Sequence, residues 1–390
     1  MRIAYVSRYS ARDVRSWSGL NHYIARALEK NGAIIEYIDD LRMPWFLVEK
    51  LKERFIPLIT GRKYKIDRSI SVARSYARQV AHRLKKINAD VVFCPANLPI
   101  AFLKTDLPVV FYTDACFANV IDYYSDFSNL HSISIRSGHL IEAESFKRSA
   151  AVVYSSRWAA DMAISFYGVP SEKVHVIPFG GNIENEHTEE DIRIWNEAKD
   201  FSKIRLLFIG VDWYRKGGAK AYEVTKALNE RGIPAELIVV GCHVPAEFKK
   251  EGIVREFMFL NKQIPEQREI LYNLYRTSHF FLMPTFAEAF GLVFAEASAF
   301  GLPCITHDTG GVSAAVQSGK NGQLFSLDSQ PEQMADYITS LWNNPGEYLN
   351  LSLNAFRYYH EHLSWHVNGK RLYDLLLQVA GESIEVQKSE

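Results

Sequence analysis

Residues 279 to 325 read HFFLMPTFAEAFGLVFAEASAFGLPCITHDTGGVSAAVQSGKNGQLF. The run opens with a short apolar strand, Phe280 to Met283, which Pro284 stops because a proline brings no amide to a sheet ladder. A helix is expected next. The turn Ala289, Phe290, Gly291 is its start, after which Leu292, Phe294, Ala295, Ala299 and Phe300 recur at helical spacing until Gly301 and Pro303 close it. Cys304, Ile305 and Thr306 read as another strand end, and Asp308, Thr309, Gly310 and Gly311 as a loop closing over the same crevice. Strand, helix and strand in this order are a unit of an α/β fold.

Two carboxylates flank the helix start. Glu288 precedes the first turn and Glu296 lies inside the helix, roughly 7.5 Å further along the axis than Gly291. A helix start offers unpaired amides and a positive dipole end, which suit a phosphate or sugar hydroxyls, and Gly291 lets a ligand approach the backbone. Two carboxylates at different depths can then grip two polyols, and a nucleotide sugar has two, the hexose and the ribose. On the alternative reading Glu288 is a charge favoured by the helix dipole and Glu296 a solvated helix carboxylate.

The chain has 390 residues, 47% of them apolar and 13% aromatic, enough for two or three domains that each bury a core and too apolar for a disordered chain. Basic and acidic residues balance at 45 each, so whole-chain charge points to no partner. Cys94, Cys116, Cys242 and Cys304 are far apart and form no C-x-x-C pair, which fits buried thiols in a reducing cytoplasm rather than a zinc site or disulfide framework. With no signal peptide and no apolar run near the roughly 20 residues of a membrane span, a cytoplasmic protein is expected, soluble or peripheral on the inner face of the membrane.

From the start, Arg2 to Ser7 reads as a buried strand, a loop through Trp17, Ser18 and Gly19 leads to a helix, and Ala33 to Ile38 is a second strand. No G-x-G-x-x-G joins strand to helix, so a nicotinamide-binding reading loses its usual support, and Gly19 alone reads equally as a turn residue. Residues 42 to 86 hold thirteen basic residues against three acidic ones, interleaved at the start with Trp45, Phe46, Leu47, Leu51, Phe55, Leu58 and Ile59. That mixture suits an anionic membrane surface or an anionic acceptor; the alternative is an ordinary helix pair with apolar inner and basic outer faces. No nucleic-acid reader motif accompanies the charge, and nucleic acid is not an expected partner. The strand Val109 to Tyr112 leads into Asp114, which should point to a crevice or cap the following segment.

After a polar, acidic stretch at 183 to 203, strand and helix alternate again. Arg205 to Ile209 is followed by Arg215, Lys216, Gly217 and Gly218, two cations before paired glycines at a strand-to-helix turn. This reads as a phosphate site that needs no metal, the alternative being a solvated cation pair at a loop, and no acidic metal site is evident elsewhere. A further strand is expected over Phe257 to Leu260.

The array Pro284, Thr285, Glu288, Phe290, Gly291, Leu292, Glu296, Ala297, Gly301, Pro303, Gly310, Gly311 resembles the C-terminal signature of retaining GT-B glycosyltransferases, in particular glycosyltransferase family 4. The resemblance implies an α/β GT-B fold, two Rossmann-like domains facing each other across a cleft. It implies an acceptor domain over 1–182, a nucleotide-sugar donor domain over 183–365, and at 366–390 a helix returning to the first domain with a frayed tail. The implied activity is transfer of a hexose from a nucleotide diphosphate sugar to a glycan or lipid-linked acceptor, with retention, without cofactor or metal, in bacterial-type polysaccharide or lipopolysaccharide synthesis. Arg215, Lys216 and the amides near Phe290, Gly291 and Leu292 would hold the diphosphate, Glu288 the hexose and Glu296 the ribose. Gly19 would lie over the diphosphate, and Phe259, Leu260 and Asn261 would line the base. Asp114 stands where many members have a histidine at the donor sugar. A GT-B nucleotide-sugar epimerase and a non-catalytic sugar-binding or membrane-docking protein are the competing readings.

Overall fold

The structure is a computed structural model that describes residues 1–12, 16–43, 45–184 and 187–389, with the side chains of 16 and 382–389 outside the description. Pro44 of the basic block and the side chains of the tail, for which fraying is expected, lie outside the described residues. The chain divides into two compact units, Met1–Pro178 with Asn368–Glu390, and Phe179–Val367. Each unit is built on one six-stranded parallel sheet.

In the first unit the strands are β1 (Arg2–Val6), β2 (Ile34–Ile38), β3 (Val91–Cys94), β4 (Val109–Thr113), β5 (Ala151–Tyr154) and β6 (Val174–Val176), in the order β2-β1-β3-β4-β5-β6. The inner strands are near-continuous apolar runs because helices cover both faces of a parallel sheet. Ile3, Val92, Phe111 and Val152 are all fully buried. The strand order reverses between β1 and β3, and the loop after β1 ends in Gly19, a left-handed residue at φ 85° that precedes the helix Leu20–Lys30. Against that helix packs the C-terminal one, Trp365–Ser389. A side chain added at Gly369 would meet the Ala27 Cβ at 2.7 Å.

The basic block forms two helices of opposite character. Ile70–Leu84 is ordinary: Val72, Ala73, Tyr76, Ala77, Val80 and Leu84 are buried and Arg74 and Arg78 face out. Phe46–Thr60 is not, for its one buried side chain is Glu49. The expectation of two apolar inner faces therefore holds for the second helix alone.

In the second unit the strands are β7 (Ile204–Ile209), β8 (Ala235–Val240), β9 (Val254–Phe257), β10 (Phe280–Leu282), β11 (Cys304–His307) and β12 (Gly322–Phe325), in the order β12-β11-β10-β7-β8-β9. Counted within the unit this is the 3-2-1-4-5-6 order of doubly wound sheets, and the reversal lies between β7 and β10. The strand expected at Phe257 to Leu260 lies three residues earlier. β9 is an edge strand, so one side needs no apolar cover and Glu256 sits in it, accepting from Val244 N–H (3.4 Å) and pairing with Lys249. The apolar run that follows, Met258 and Phe259, is an exposed loop.

Candidate active site

Because β7 and β10 are neighbours running the same way, the loops after their carboxyl ends lie side by side at the reversal. The β7 loop carries Asp212, Arg215, Lys216 and Gly217; the β10 loop carries Pro284, Thr285 and Glu288. Their approach is tight. Gly217 is left-handed at φ 79°, and a Cβ there would fall 1.9 Å from the Pro284 carbonyl oxygen, so no other residue fits without displacing the neighbouring loop. Backbone bonds tie the two loops together. The Phe286 N–H donates to the Arg215 carbonyl at 2.9 Å, and the Thr285 hydroxyl donates to the same oxygen at 3.2 Å.

The charged side chains meet on top of this junction. The Lys216 ammonium donates to Glu288 Oε2. The Arg215 guanidinium lies 3.7 Å from that oxygen, donates to the Ala287 carbonyl at 2.8 Å, and has Asp212 at 3.6 Å on its other side. The group is a pair of cations balanced by two carboxylates, with Lys216 and Glu288 largely buried. An arriving polyanion would compete with Glu288 for the cations. The glycine loop closes the site from β11: the Gly311 N–H donates to the Glu288 carbonyl at 3.0 Å. Behind it, burial and then the nearby Lys220 charge hold the His307 imidazole down at about 4, so that it stays neutral, with Nδ1 at 3.1 Å from the Thr285 carbonyl.

Gly291, left-handed at φ 87°, is the N-cap of the helix Leu292–Ala299. Phe290 is buried against Phe179, ring centroids 5.3 Å apart, and Leu292 is half-buried. The helix is apolar on nearly every side, and Glu296 is its one charged residue, 3% exposed. A carboxylate so buried requires partners. The Lys262 ammonium donates to Oε1 and the Tyr275 hydroxyl to Oε2 at 3.2 Å. Burial, with the Glu296 charge second, pushes the Tyr275 phenol well above its usual range. A solvated helix carboxylate at 296 is thereby excluded. Lys262, which also donates to the Asn182 carbonyl at 3.2 Å, was not among the residues that the sequence singled out.

The other expected site residues have surroundings of their own in each unit. Phe259 is exposed and Leu260 half-buried in the loop after β9. The Asn261 N–H donates to Gln267 Oε1 at 2.7 Å, and its side chain accepts from the Gln263 N–H at 3.0 Å, which builds the turn into the helix Pro265–Thr277. Gly19 and Asp114 belong to the first unit, at the ends of β1 and β4. Asp114 accepts from the Thr113 hydroxyl at 3.4 Å, while the cap of the short helix that follows is Cys116. Among the described residues no group of three or more His, Cys, Asp or Glu side chains could hold a metal ion. No helix among them is long and apolar enough to cross a membrane.

The family model described as Glycosyltransferase Family 4 matches residues 20–185, and that described as Glycosyl transferases group 1 matches residues 189–358. The chain is 34% identical over 144 residues to the D-inositol 3-phosphate glycosyltransferase of Rhodococcus erythropolis, which is 34% of this chain and 31% of that one. The matched stretch thus spans about a third of that relative. The sucrose-phosphate synthase of Thermosynechococcus elongatus superposes with a TM-score of 0.72 at 16% identity, over 98% of this chain and 100% of that one. Anabaena HepE in complex with UDP superposes with a TM-score of 0.64 at 14% identity, over 97% and 100%. With one family model on each half, a signature that runs from Glu288 to Gly311, and two parallel sheets matching those structures in fold, the chain belongs to the GT-B glycosyltransferases of family 4, the glycosyl transferases of group 1.

Proposed function

We propose that the chain is a retaining glycosyltransferase that moves a hexose from a nucleotide diphosphate sugar to a glycan or lipid-linked acceptor, without a metal, in polysaccharide or lipopolysaccharide synthesis on the cytoplasmic side of the membrane. The observation that carries this is the convergence of Lys216, Arg215 and Glu288 at the strand-order reversal of the second unit, in the loop that leads to the Leu292 helix start, which no side chain caps. Departure of a nucleoside diphosphate leaves negative charge on phosphate and positive charge on the sugar ring, and stabilising the leaving charge is the largest contribution such a site makes. Lys216 and Arg215 would transfer from Glu288 to the diphosphate as the donor binds. Glu288, so released, would turn to the hexose hydroxyls. Glu296 is held at the next turn of the helix by Lys262 and Tyr275 and would take the ribose.

On this reading the bond from the anomeric carbon to the leaving phosphate oxygen breaks as the bond to the acceptor oxygen forms on the same face. The acceptor proton passes to the leaving phosphate, and configuration is retained with no covalent sugar on Glu288. Gly19 over the diphosphate, Asp114 at the hexose, and Phe259, Leu260 and Asn261 at the base complete the proposed donor contacts. UDP is the first nucleotide to try, because HepE is a structural match that binds it.

The test is a transfer assay with a panel of nucleotide sugars and candidate acceptors, with product anomers read by NMR. Nucleotide release that requires an acceptor, with the donor's anomeric configuration kept, supports the reading. Epimerised donor without acceptor, or an inverted product, overturns it.

A further inference from the structure

The helix Phe46–Thr60 is turned inside out. Placed at 3.6 residues per turn, Leu47, Val48, Leu51, Phe55, Leu58 and Ile59 fall on one stripe, about 120° wide. In a helix that belongs to a core this stripe faces inward. Here it faces out: Leu47 is 75% exposed, Leu58 74% and Ile59 81%. The inward side carries Ile56, half-buried against the core, and a fixed carboxylate. Glu49, 1% exposed, accepts from the Tyr64 hydroxyl at 2.6 Å, the Ser71 hydroxyl at 3.0 Å and the Lys52 ammonium at 2.9 Å. Turning the leucines inward would require that buried carboxylate to leave Tyr64 and Ser71. The orientation is thus built in.

Charge borders the stripe. Lys50 and Arg54 lie along one edge and Lys52 along the other, with Arg62 just past the helix end. Of the helix's two acidic residues, Glu49 is buried and Glu53 pairs with Lys50 on the far side from the leucines. Trp45, left-handed at φ 65° and exposed, stands at the N-cap. At 15 residues the helix is about 22 Å long, too short and too charged to span a bilayer.

We propose that this face docks flat on an anionic lipid bilayer, with Leu47, Leu51, Phe55, Leu58 and Ile59 in the acyl boundary and the flanking cations at the headgroups. An apolar stripe edged by Lys50 and Arg54, with Arg62 past its end and no acid within it, fits a negatively charged interface. A patch meant for a second copy of this chain would bring the same cations against each other, and this favours lipid over self-association. The proposal concerns the surface of the first unit and does not rest on the donor-site reading.

The test is co-sedimentation of the full chain with vesicles of phosphatidylcholine and with vesicles of phosphatidylcholine and phosphatidylglycerol, with no donor or acceptor present. The native chain is expected to bind the mixed vesicles and not the neutral ones. The triple substitution Leu51→Ser, Phe55→Ser, Leu58→Ser should weaken that binding at least about tenfold with an unchanged melting temperature, because the three side chains make up exposed surface. Lys50→Gln with Arg54→Gln and Arg62→Gln should weaken it and make it less sensitive to salt. Equal binding to both vesicle types, or full binding by the leucine and phenylalanine variant, would overturn the proposal. So would a native dimer that the triple substitution converts to monomer without any vesicle binding, which would assign the face to a second copy.

Discussion

Gly217 lies against the Pro284 carbonyl where the two loops of the site meet: a Cβ on the glycine would stand 1.9 Å from that oxygen. The sheet order brings these loops together, and the contact fixes the height at which Lys216 meets Glu288, one residue before the glycine and four after the proline. Gly217→Ala must either move the β10 loop or leave its left-handed φ. It should destabilise the second unit by about 2–4 kcal/mol. Gly252, also left-handed but with nothing within 4 Å of its would-be Cβ, is the control, and Gly252→Ala should cost about 1–2 kcal/mol. Equal losses in urea unfolding would show that the loop contact contributes nothing.

Glu296 joins Lys262 and Tyr275, so its removal acts on stability as well as on binding. Glu296→Ala strands the fully buried Tyr275 hydroxyl and should cost about 1–3 kcal/mol. Glu296→Gln keeps an acceptor for that hydroxyl and should cost less while still losing the donor. A variant series in which donor affinity tracks stability would mean that Glu296 is structural only.

Acid should loosen the second unit. Burial, and then the charges of Lys199 and Arg205, depress the His279 imidazole to about 3. Its Nδ1 accepts the Arg205 N–H at 2.9 Å, which assigns the ring proton to Nε2. An unfolded histidine titrates near 6.5, so between 6.5 and about 3 the unfolded chain holds a proton that the folded one does not. Stability therefore falls with pH through that window, by about 2 kcal/mol at pH 5 from this group. His187 and His307, each held down to about 4 mainly by burial, act in the same direction. His279→Asn, which keeps an acceptor for Arg205, should flatten the acid limb of stability against pH; an unchanged slope would contradict the assignment.

In the first unit Glu142 works the other way. Burial raises its carboxyl to about 7, against the opposing Arg68 charge and the hydrogen bond from Asn97. A carboxyl raised in the folded state gives stability that is present below about 4.5 and lost as pH rises through 7. Glu142→Gln carries no charge to desolvate, and it should exceed the native chain in stability at pH 8 by about 2–3 kcal/mol. It should show little difference at pH 4.5. A destabilised variant at pH 8 would mean that the ionised carboxylate has a partner that matters.

Much of this was legible in the sequence, and each gap has a physical cause. The parallel strands could be read because burial on both faces makes them apolar runs, as in Ile204–Ile209 and Val109–Thr113. β9 lies before its expected place because an edge strand need not be apolar, while the exposed Met258 and Phe259 beside it imitate a buried strand. Lys216 and Glu288 were each found by local pattern, although 72 positions separate them. Lys262 was not, since it sits 34 positions from Glu296 in a loop without periodicity. The helix Phe46–Thr60 shows the limit most plainly. Its period reveals an apolar stripe, but the side that faces the protein is set by Tyr64 and Ser71 capturing Glu49.

The proposed function stands or falls on whether the junction of the β7 and β10 loops holds a nucleoside diphosphate. Thermal unfolding of the native chain, Lys216→Ala and Glu296→Ala, in a panel of nucleotides and nucleotide sugars without metal, tests it most directly. At a hundred times its dissociation constant a ligand adds about 2.7 kcal/mol of stability. The native chain should show such a shift with one diphosphate nucleotide and its sugar, lost in both variants. A native chain that no nucleotide stabilises, or variants that keep the full shift, would contradict it.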